Sequence, residues 1–316
     1  MITAGKYEII HNAVSQDDNL LSISRMCEIA GVSRSGYYSW INAKPYREQC
    51  EANDRTDFEK ILEAYKYRGY AKGARSIYMR LLHIGTVMNI KKIRRLMHKY
   101  GLKCPYRGPN PYRQMAKAIR TNAVFPNRVN REFLAGGVRK VLLTDITYIF
   151  YNDGVCYLST VLDAFTREIL AYELSQSLDV SFVLHTIKDL SEQHGSTLDD
   201  TTIVHSDQGC HYTSKAFIKA LKSNNLVQSM SRKGNCWDNA PQESFFGHMK
   251  DEIKYEIATM KKFDEVKAKI DDWIDYYNND RYQWDLVKLS PNEYYQYVTT
   301  GIYPIKTWGS APNPGV

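Results

Sequence analysis

The sequence predicts an α/β protein in which a helical N-terminal region precedes a sheet covered by helices. After about residue 138, short apolar runs alternate with longer amphipathic stretches, as strands and helices do. Before that point, the chain from Lys60 to Arg131 is dense in Lys, Arg and Tyr. A chain of 316 residues has room for two or three domains at about 100 to 200 residues each. We expect a helical region at 1–113, a linker at 114–137, an α/β core at 138–258, and a C-terminal helix and tail at 259–316.

The first candidate helix pair lies near the N-terminus. Residues 24–29 have helical spacing and end near Gly31, and Ser33 then opens a second short helix as a capping residue. This order is the outline of a helix-turn-helix. We expect Arg34 and Tyr37 to contact nucleic acid, and an ordinary hairpin of two helices is the alternative.

A second candidate pair comprises residues 74–82 and 89–100, with Gly101 as a C-cap. Cations crowd its second helix, and a segment rich in Pro, Tyr and Arg follows at 103–113. Such a pair can track a phosphate backbone, whereas the alternative is a merely solvated face. The residues expected to bind nucleic acid here are Lys91, Lys92, Arg94, Arg95, Arg107 and Arg113.

The C-terminal half predicts one sheet. Apolar and β-branched runs predict strands, and amphipathic stretches between them predict helices. The expected elements are strands at 141–150, 155–162 and 168–174, a helix at 180–194, a strand at 201–205, a helix at 214–223, a strand at 226–231, and a helix from about 239. This is the element order of a ribonuclease-H-like sheet.

Three carboxylates stand out by their positions. Asp145 lies in the middle of the first apolar strand, where a charge is costly unless it pairs or binds a metal. Asp207 follows the expected strand at 201–205, and Glu243 falls on the first turns of the last expected helix. There are 35 residues between Asp207 and Glu243. Hard carboxylate ligands without a His or Cys cluster suit Mg²⁺ or Mn²⁺. Two such ions support in-line phosphoryl transfer.

The sequences around these carboxylates resemble the integrase core of bacterial insertion-sequence transposases, and most closely the second reading frame of insertion-sequence family three. The core resemblance rests on residues 144–149, on 205–209 with Tyr212, and on 231–246. Weaker similarity covers the segments 32–38, 94–102, 277–281 and 289–294. The segment after Arg281 departs from the family, because it lacks the His and Gly commonly found there.

The resemblance implies a DNA transposase with a ribonuclease-H-like fold. Asp145, Asp207 and Glu243 would be its metal ligands, with two Mg²⁺ or Mn²⁺ ions as the expected cofactor. It would cut DNA at terminal inverted repeats and join the ends to target DNA by transesterification. The resemblance also implies a homo-oligomer on DNA and a possible need for the upstream reading-frame product.

Residues around the carboxylates are candidates for supporting roles. Lys250 lies seven residues after Glu243, on the same helix face, and is expected to hold a DNA phosphate unless it is simply solvated. Arg232 and Lys233 are expected to clamp DNA from the preceding loop. Asn239 is expected to cap or orient the helix, and Trp237 to anchor the loop or stack on a base.

Composition excludes several classes of protein. The formal charge of +7 fits a polyanionic partner, and the six scattered Cys residues indicate reduced thiols rather than a disulfide framework or zinc cluster. No apolar run is long enough for a membrane span, so we expect a cytoplasmic protein. The alternatives in function are a structure-selective nuclease that does not join ends, and a non-catalytic DNA-binding regulator. A tyrosine recombinase would need an Arg and His constellation that the sequence lacks.

Overall fold

A computed structural model of the chain describes residues 3–16, 19–70, 72–104, 124–152, 154–232 and 236–305. Its helices are α1 Thr3–Val14, α2 Ile23–Ala30, α3 Arg34–Asn42, α4 Lys44–Lys66, α5 Ala74–His83, α6 Ile90–Lys99, α7 Val180–His194, α8 Lys215–Ser223, α9 Ala240–Ile257, α10 Phe263–Asn279 and α11 Pro291–Thr300. Its strands are β1 Val141–Tyr151, β2 Gly154–Asp163, β3 Ile169–Ser175, β4 Ile203–Ser206 and β5 Val227–Met230.

The sheet confirms the predicted fold class. Its strand order is β3-β2-β1-β4-β5, with β1, β2 and β3 antiparallel and β4 and β5 parallel to their neighbours. The predicted strand at 201–205 begins later, at Ile203, because Thr202 donates its backbone N–H to Asp199 in a turn, at 3.0 Å. The fold is therefore a mixed five-stranded sheet with the predicted order of elements.

Helices cover both faces of this sheet. Leu143 belongs to the core that contains α9 and α10, whereas its neighbour Leu142 packs in the core with α7 and α8. This alternation follows from the period of two along a strand. Trp273 of α10 is fully buried in the first core, so the helix that the sequence placed after residue 258 packs on the same sheet.

The N-terminal helices form two small units. Helices α1 to α3 share a core that includes Met26 and Cys27, and α4 to α6 share another that includes Ile77 and Ile93. The expected turn between α2 and α3 is present: Gly31 has φ 62°, and the Ser33 hydroxyl accepts the Gly36 N–H at 3.0 Å.

Other segments join these units to the sheet. Of the predicted linker, residues 124–137 are described, and Val129 is buried in the core beneath α9 and α10. Tyr67, just after α4, donates to Asp280 at 2.8 Å, and Tyr70 stacks on Tyr276 with ring centroids 4.3 Å apart. None of the described helices combines the length and apolar character that crossing a membrane requires.

Candidate active site

Strand pairing brings the first two carboxylates together. Leu143 of β1 pairs with His205 of the parallel strand β4, so Asp145 and Asp207, two residues further along each chain, come side by side. Asp145 lies on the same face of β1 as Leu143, which is the face that α9 covers. Its Oδ1 accepts the Ile146 N–H at 2.8 Å.

The Asp207 carboxylate is held by the turn that follows β4. Its Oδ1 accepts the backbone N–H of Gly209 at 2.8 Å. A Cβ at Gly209 would lie 2.8 Å from the same oxygen, so glycine permits this close approach. Burial raises the pKa of Asp207.

Helix α9 carries the third carboxylate, whose charge acts on Asp145 in the middle of β1. Pro241 occupies the first turn of α9, and Glu243 follows it there, where the partial positive charge of the helix terminus favours an anion. The pKa of Asp145 is raised to about 8 by burial first, and then by the negative charge of Asp207. Glu243 raises the same pKa further, so all three carboxylates share one electrostatic neighbourhood.

The donor set fits a divalent cation. The three side chains offer hard oxygen ligands. The desolvation of Asp145 and the negative charges of its two neighbours, which raise its pKa, are what a bound cation would relieve. Among the described residues, no three His, Cys, Asp or Glu side chains are close enough to ligate one ion together. The carboxylates are thus neighbours without forming a closed ligand set.

Lys250 lies beside this neighbourhood on α9. Burial lowers its pKa, and the charge of Asp145 acts in the opposite direction. A lysine beside these carboxylates can contact a phosphate that approaches them. The expected contact of Lys250 with DNA stays a prediction.

Asn239 plays a different part from the expected cap. It occupies the N-cap position of α9, but its side chain makes no capping hydrogen bond. Instead, its Nδ2 lies 3.4 Å from Asp145 Oδ2. Of its two expected roles, the cap is wrong, because the residue has φ −131° and ψ 28° rather than the β-region backbone that a capping side chain needs. The other expected role, orienting the helix, stays a prediction.

Asp238 is a site residue that the sequence reasoning missed. It is buried and accepts two hydrogen bonds from the Arg232 guanidinium, both at 2.9 Å, and one from Arg131 Nε at 2.9 Å. Asn127 donates to it at 3.1 Å. These donors, Arg232 first, hold the pKa of Asp238 well below its usual range. A partner more than a hundred residues away, such as Arg131, leaves no sequence signal.

The other residues expected in this loop are only partly described. Arg232 is exposed, but its guanidinium is paired with Asp238. This contact supports a role for Arg232 in anchoring the loop rather than in clamping DNA. Trp237 lies in a short turn, Cys236–Asn239, and its side chain lies outside the described part, as does all of Lys233.

Tyr37 corrects the prediction for the first helix pair. Its side chain is 1% exposed and packs within the α1 to α3 core, with its ring 6.3 Å from that of Tyr7. This burial contradicts a contact with DNA, because α3 turns that face toward α1. Arg34 is exposed, 5.9 Å from the Tyr38 ring, and can reach a partner.

Helix α6 has two kinds of cation. Lys92 bonds to Asp57, and Arg95 makes two hydrogen bonds to Asp54, at 2.6 and 2.7 Å. Lys91 and Arg94 are exposed, and within the described ranges no carboxylate forms an ion pair with them. The spacing of acidic residues along α4, three apart, could have signalled this pairing.

The two cations predicted in the segment that follows α6, Arg107 and Arg113, lie outside the described residues.

Family comparisons agree with this architecture. Residues 137–236 match the family described as "Integrase core domain", and residues 243–298 match a second family with the same description. Residues 51–110, which span α4 to α6, match the family described as "HTH-like domain".

Individual relatives are also similar along most of their length. The "Transposase for insertion sequence element IS904" of Lactococcus lactis is 31% identical over 262 residues, covering 81% of this chain and 99% of the relative. The "Transposase InsF for insertion sequence IS3A" of Escherichia coli is 26% identical, covering 80% and 88%. Among solved structures, the catalytic core domain of BIV integrase aligns with a TM-score of 0.40 and 15% identity, over 52% of this chain and 98% of that one.

Proposed function

Because the chain belongs to the integrase-core transposases of insertion-sequence family three, we propose that it cuts DNA at the ends of its element and joins those ends to a target. The supporting observation is that the pairing of β1 with β4 brings Asp145 and Asp207 side by side, and that the negative charges of Asp207 and Glu243 both act on Asp145.

The three carboxylates would hold the metal. Bound divalent ions, two in this proposal, would activate the attacking oxygen and stabilise the leaving oxygen in phosphoryl transfer. Asn239 Nδ2 at 3.4 Å from Asp145 Oδ2 orients the first carboxylate, and the Gly209 N–H orients the second. Lys250 would bind a phosphate of the reacting strand.

The helical units would bind the terminal inverted repeats. Arg34 of α3 and Lys91 and Arg94 of α6 are exposed candidates that pair with no carboxylate of the described residues, unlike Arg95 and Arg232. Cations of this kind contact phosphates, with an affinity that falls as salt rises. Cutting two ends and pairing them would require an oligomer on DNA, and the upstream reading-frame product is a further proposed partner.

One experiment separates this function from the two alternatives. The full chain is incubated with Mg²⁺ or Mn²⁺ and DNA that carries the element's terminal repeats, in parallel with Glu243→Gln as an isosteric control. We expect wild type to nick and join the DNA and Glu243→Gln to bind it normally without either reaction. Nicking without joining would identify a nuclease, and binding without nicking would identify a regulator. Undiminished joining by Glu243→Gln would refute the ligand assignment.

A further inference from the structure

Helix α9 has a second charged side chain of interest, on the side away from the metal ligands. Glu252 follows Glu243 by nine residues, which is about two and a half helical turns, so the two point in opposite directions. Its Oε2 accepts the Trp273 Nε1–H at 3.0 Å. Its Oε1 accepts two N–H groups of the Arg281 guanidinium, Nε and Nη2, each at 3.0 Å.

This group, which we term the clasp, consists of Glu252, Trp273 and Arg281. The ion pair is largely buried, with side chains 14% and 17% exposed. Charge-assisted hydrogen bonds to a planar guanidinium are strong and directional, whereas the apolar contacts of Phe245 and Met249 beside them are non-directional. The apolar contacts hold α9 against the sheet, and the directional contacts of the clasp tie one side of α9 to α10 and to the segment after it.

A residue of the N-terminal helical region, Lys72, lies beside the clasp. Lys72 is 4% exposed, and its ammonium donates to the backbone carbonyl of Tyr70 at 2.9 Å. It lies 5.6 Å from the centre of the Tyr276 ring and lines a small cavity together with Glu252 and Arg281. The segment between α4 and α5 thus packs around the clasp.

We infer that Arg281 and Glu252 are positioning residues, which set the rotation of α9 so that Glu243 faces Asp145 and Asp207. This inference rests on the proposed function, since it assigns the clasp a task only if Glu243 is a metal ligand. Rotation of α9 by even a fraction of a turn would move Glu243 away from the other two carboxylates. The affinity of the site for metal should therefore depend on a contact made on the opposite side of the helix.

The test measures metal binding rather than turnover. Thermal unfolding of the full chain is followed over a range of Mn²⁺ concentrations, which gives the rise in Tm and the half-saturating concentration. The variants are Arg281→Lys, which keeps the charge but loses the fork, and the double variant Glu252→Gln with Arg281→Gln, which removes both buried charges together. Lys269→Gln is the matched control, because Lys269 pairs with Glu256 across the same two helices, at 2.7 Å, and its side chain is 19% exposed, close to the 17% of Arg281.

We expect the double variant to keep a Tm near that of wild type without metal, and Arg281→Lys to have a lower one, because it loses the directional hydrogen bonds to Glu252. Both variants should need about tenfold more Mn²⁺ for half-saturation, as residues that orient metal ligands typically do. Lys269→Gln should bind Mn²⁺ as wild type does. Equal half-saturation in wild type and the double variant would overturn the inference. If Mn²⁺ raises the Tm of neither wild type nor Lys269→Gln, or raises that of Glu243→Gln equally, the metal-ligand proposal itself fails.

Discussion

Val287 occupies the left-handed backbone region, with φ 47° and ψ 35°. A β-branched residue is strained there, at a cost of about 1 to 2 kcal/mol. The Tyr303 hydroxyl holds this turn by donating to the Val287 carbonyl at 2.8 Å. The segment after Arg281 lacks the glycine that the family resemblance leads one to expect, and this turn is where a glycine would relieve strain.

We therefore predict that Val287→Gly is more stable than Val287→Ala by about 1 kcal/mol. Both variants lose the two methyl groups of valine, but only glycine also removes the Cβ that strains a left-handed backbone. Urea unfolding of the two variants measures the difference. At a loop position with negative φ, alanine is the more stable of the two residues. If Val287→Ala proves more stable than Val287→Gly, Val287 is not strained.

Tyr212 buries a hydroxyl at the edge of the candidate site. The side chain is 1% exposed, and its hydroxyl makes no aligned hydrogen bond among the described residues, nor does that of Thr144 beside it. The two hydroxyls are close enough to interact, but a poorly aligned hydrogen bond offsets little of the cost of burying a polar group. Tyr212→Phe should thus leave the free energy of unfolding unchanged or raise it.

Tyr172→Phe is the matched comparison, because the Tyr172 hydroxyl donates to Asp271 at 3.0 Å. Removing that hydrogen bond should lower the free energy of unfolding by about 1 kcal/mol. Denaturant titrations of both variants give the two numbers, and a loss of stability in Tyr212→Phe equal to that in Tyr172→Phe would disprove the assignment of an unpaired hydroxyl.

At the scale of elements, the loop before α9 depends on one ionised carboxylate. Because the folded pKa of Asp238 is lowered, its contribution is complete above the unfolded pKa of about 3.9 and is lost as the pH falls. Asp238→Asn should lower the free energy of unfolding by about 1 to 2 kcal/mol at pH 7. The difference from wild type should shrink as the pH falls below about 4, and urea unfolding across pH 3 to 7 tests this. A difference that is constant with pH would exclude the ionised form as its source.

The second element-scale prediction separates free cations from paired ones on α6. Lys91→Ala and Arg94→Ala should each weaken binding to DNA and reduce the slope of log affinity against log salt by about 1. Arg95→Ala should chiefly destabilise the α4 to α6 unit, because it removes the two hydrogen bonds that Arg95 donates to Asp54. Fluorescence anisotropy between 50 and 200 mM salt measures the slopes. An unchanged slope in Lys91→Ala and Arg94→Ala would place the DNA elsewhere.

Local patterns in the sequence were enough to predict the elements of the sheet and to select Asp145, Asp207 and Glu243 as a set. Strand periodicity, turn signals and the cost of a charge in an apolar strand are all encoded within a few residues. Asp238 and the partners of Asn239 were not predictable in this way, because their contacts join segments far apart in the chain. Tyr37 shows the same limit, since helical spacing alone did not tell which face of α3 packs on α1.

At the scale of the whole molecule, the helical region and the C-terminal segments form one continuous contact. Arg68 pairs with Asp275 at 2.7 Å, and the His83 ring stacks on that of Tyr282 at 3.6 Å. His83 also contacts Glu293 at 3.1 Å. The proposed DNA-binding unit of α4 to α6 and the proposed metal site are therefore parts of one packed body, which suits an enzyme that must act at a fixed place on its bound DNA.

This contact also has a consequence for the order of folding during synthesis. Tyr67 and Asp280, which it joins, are 213 residues apart, whereas Arg95 and Asp54 within the helical unit are separated by 41. At about 5 to 20 residues per second, the ribosome needs roughly 10 to 40 seconds to make the stretch between Tyr67 and Asp280. The helical unit has its own core and can fold in that interval, so a newly made chain would have the cations proposed to bind DNA in place before its candidate active site is complete.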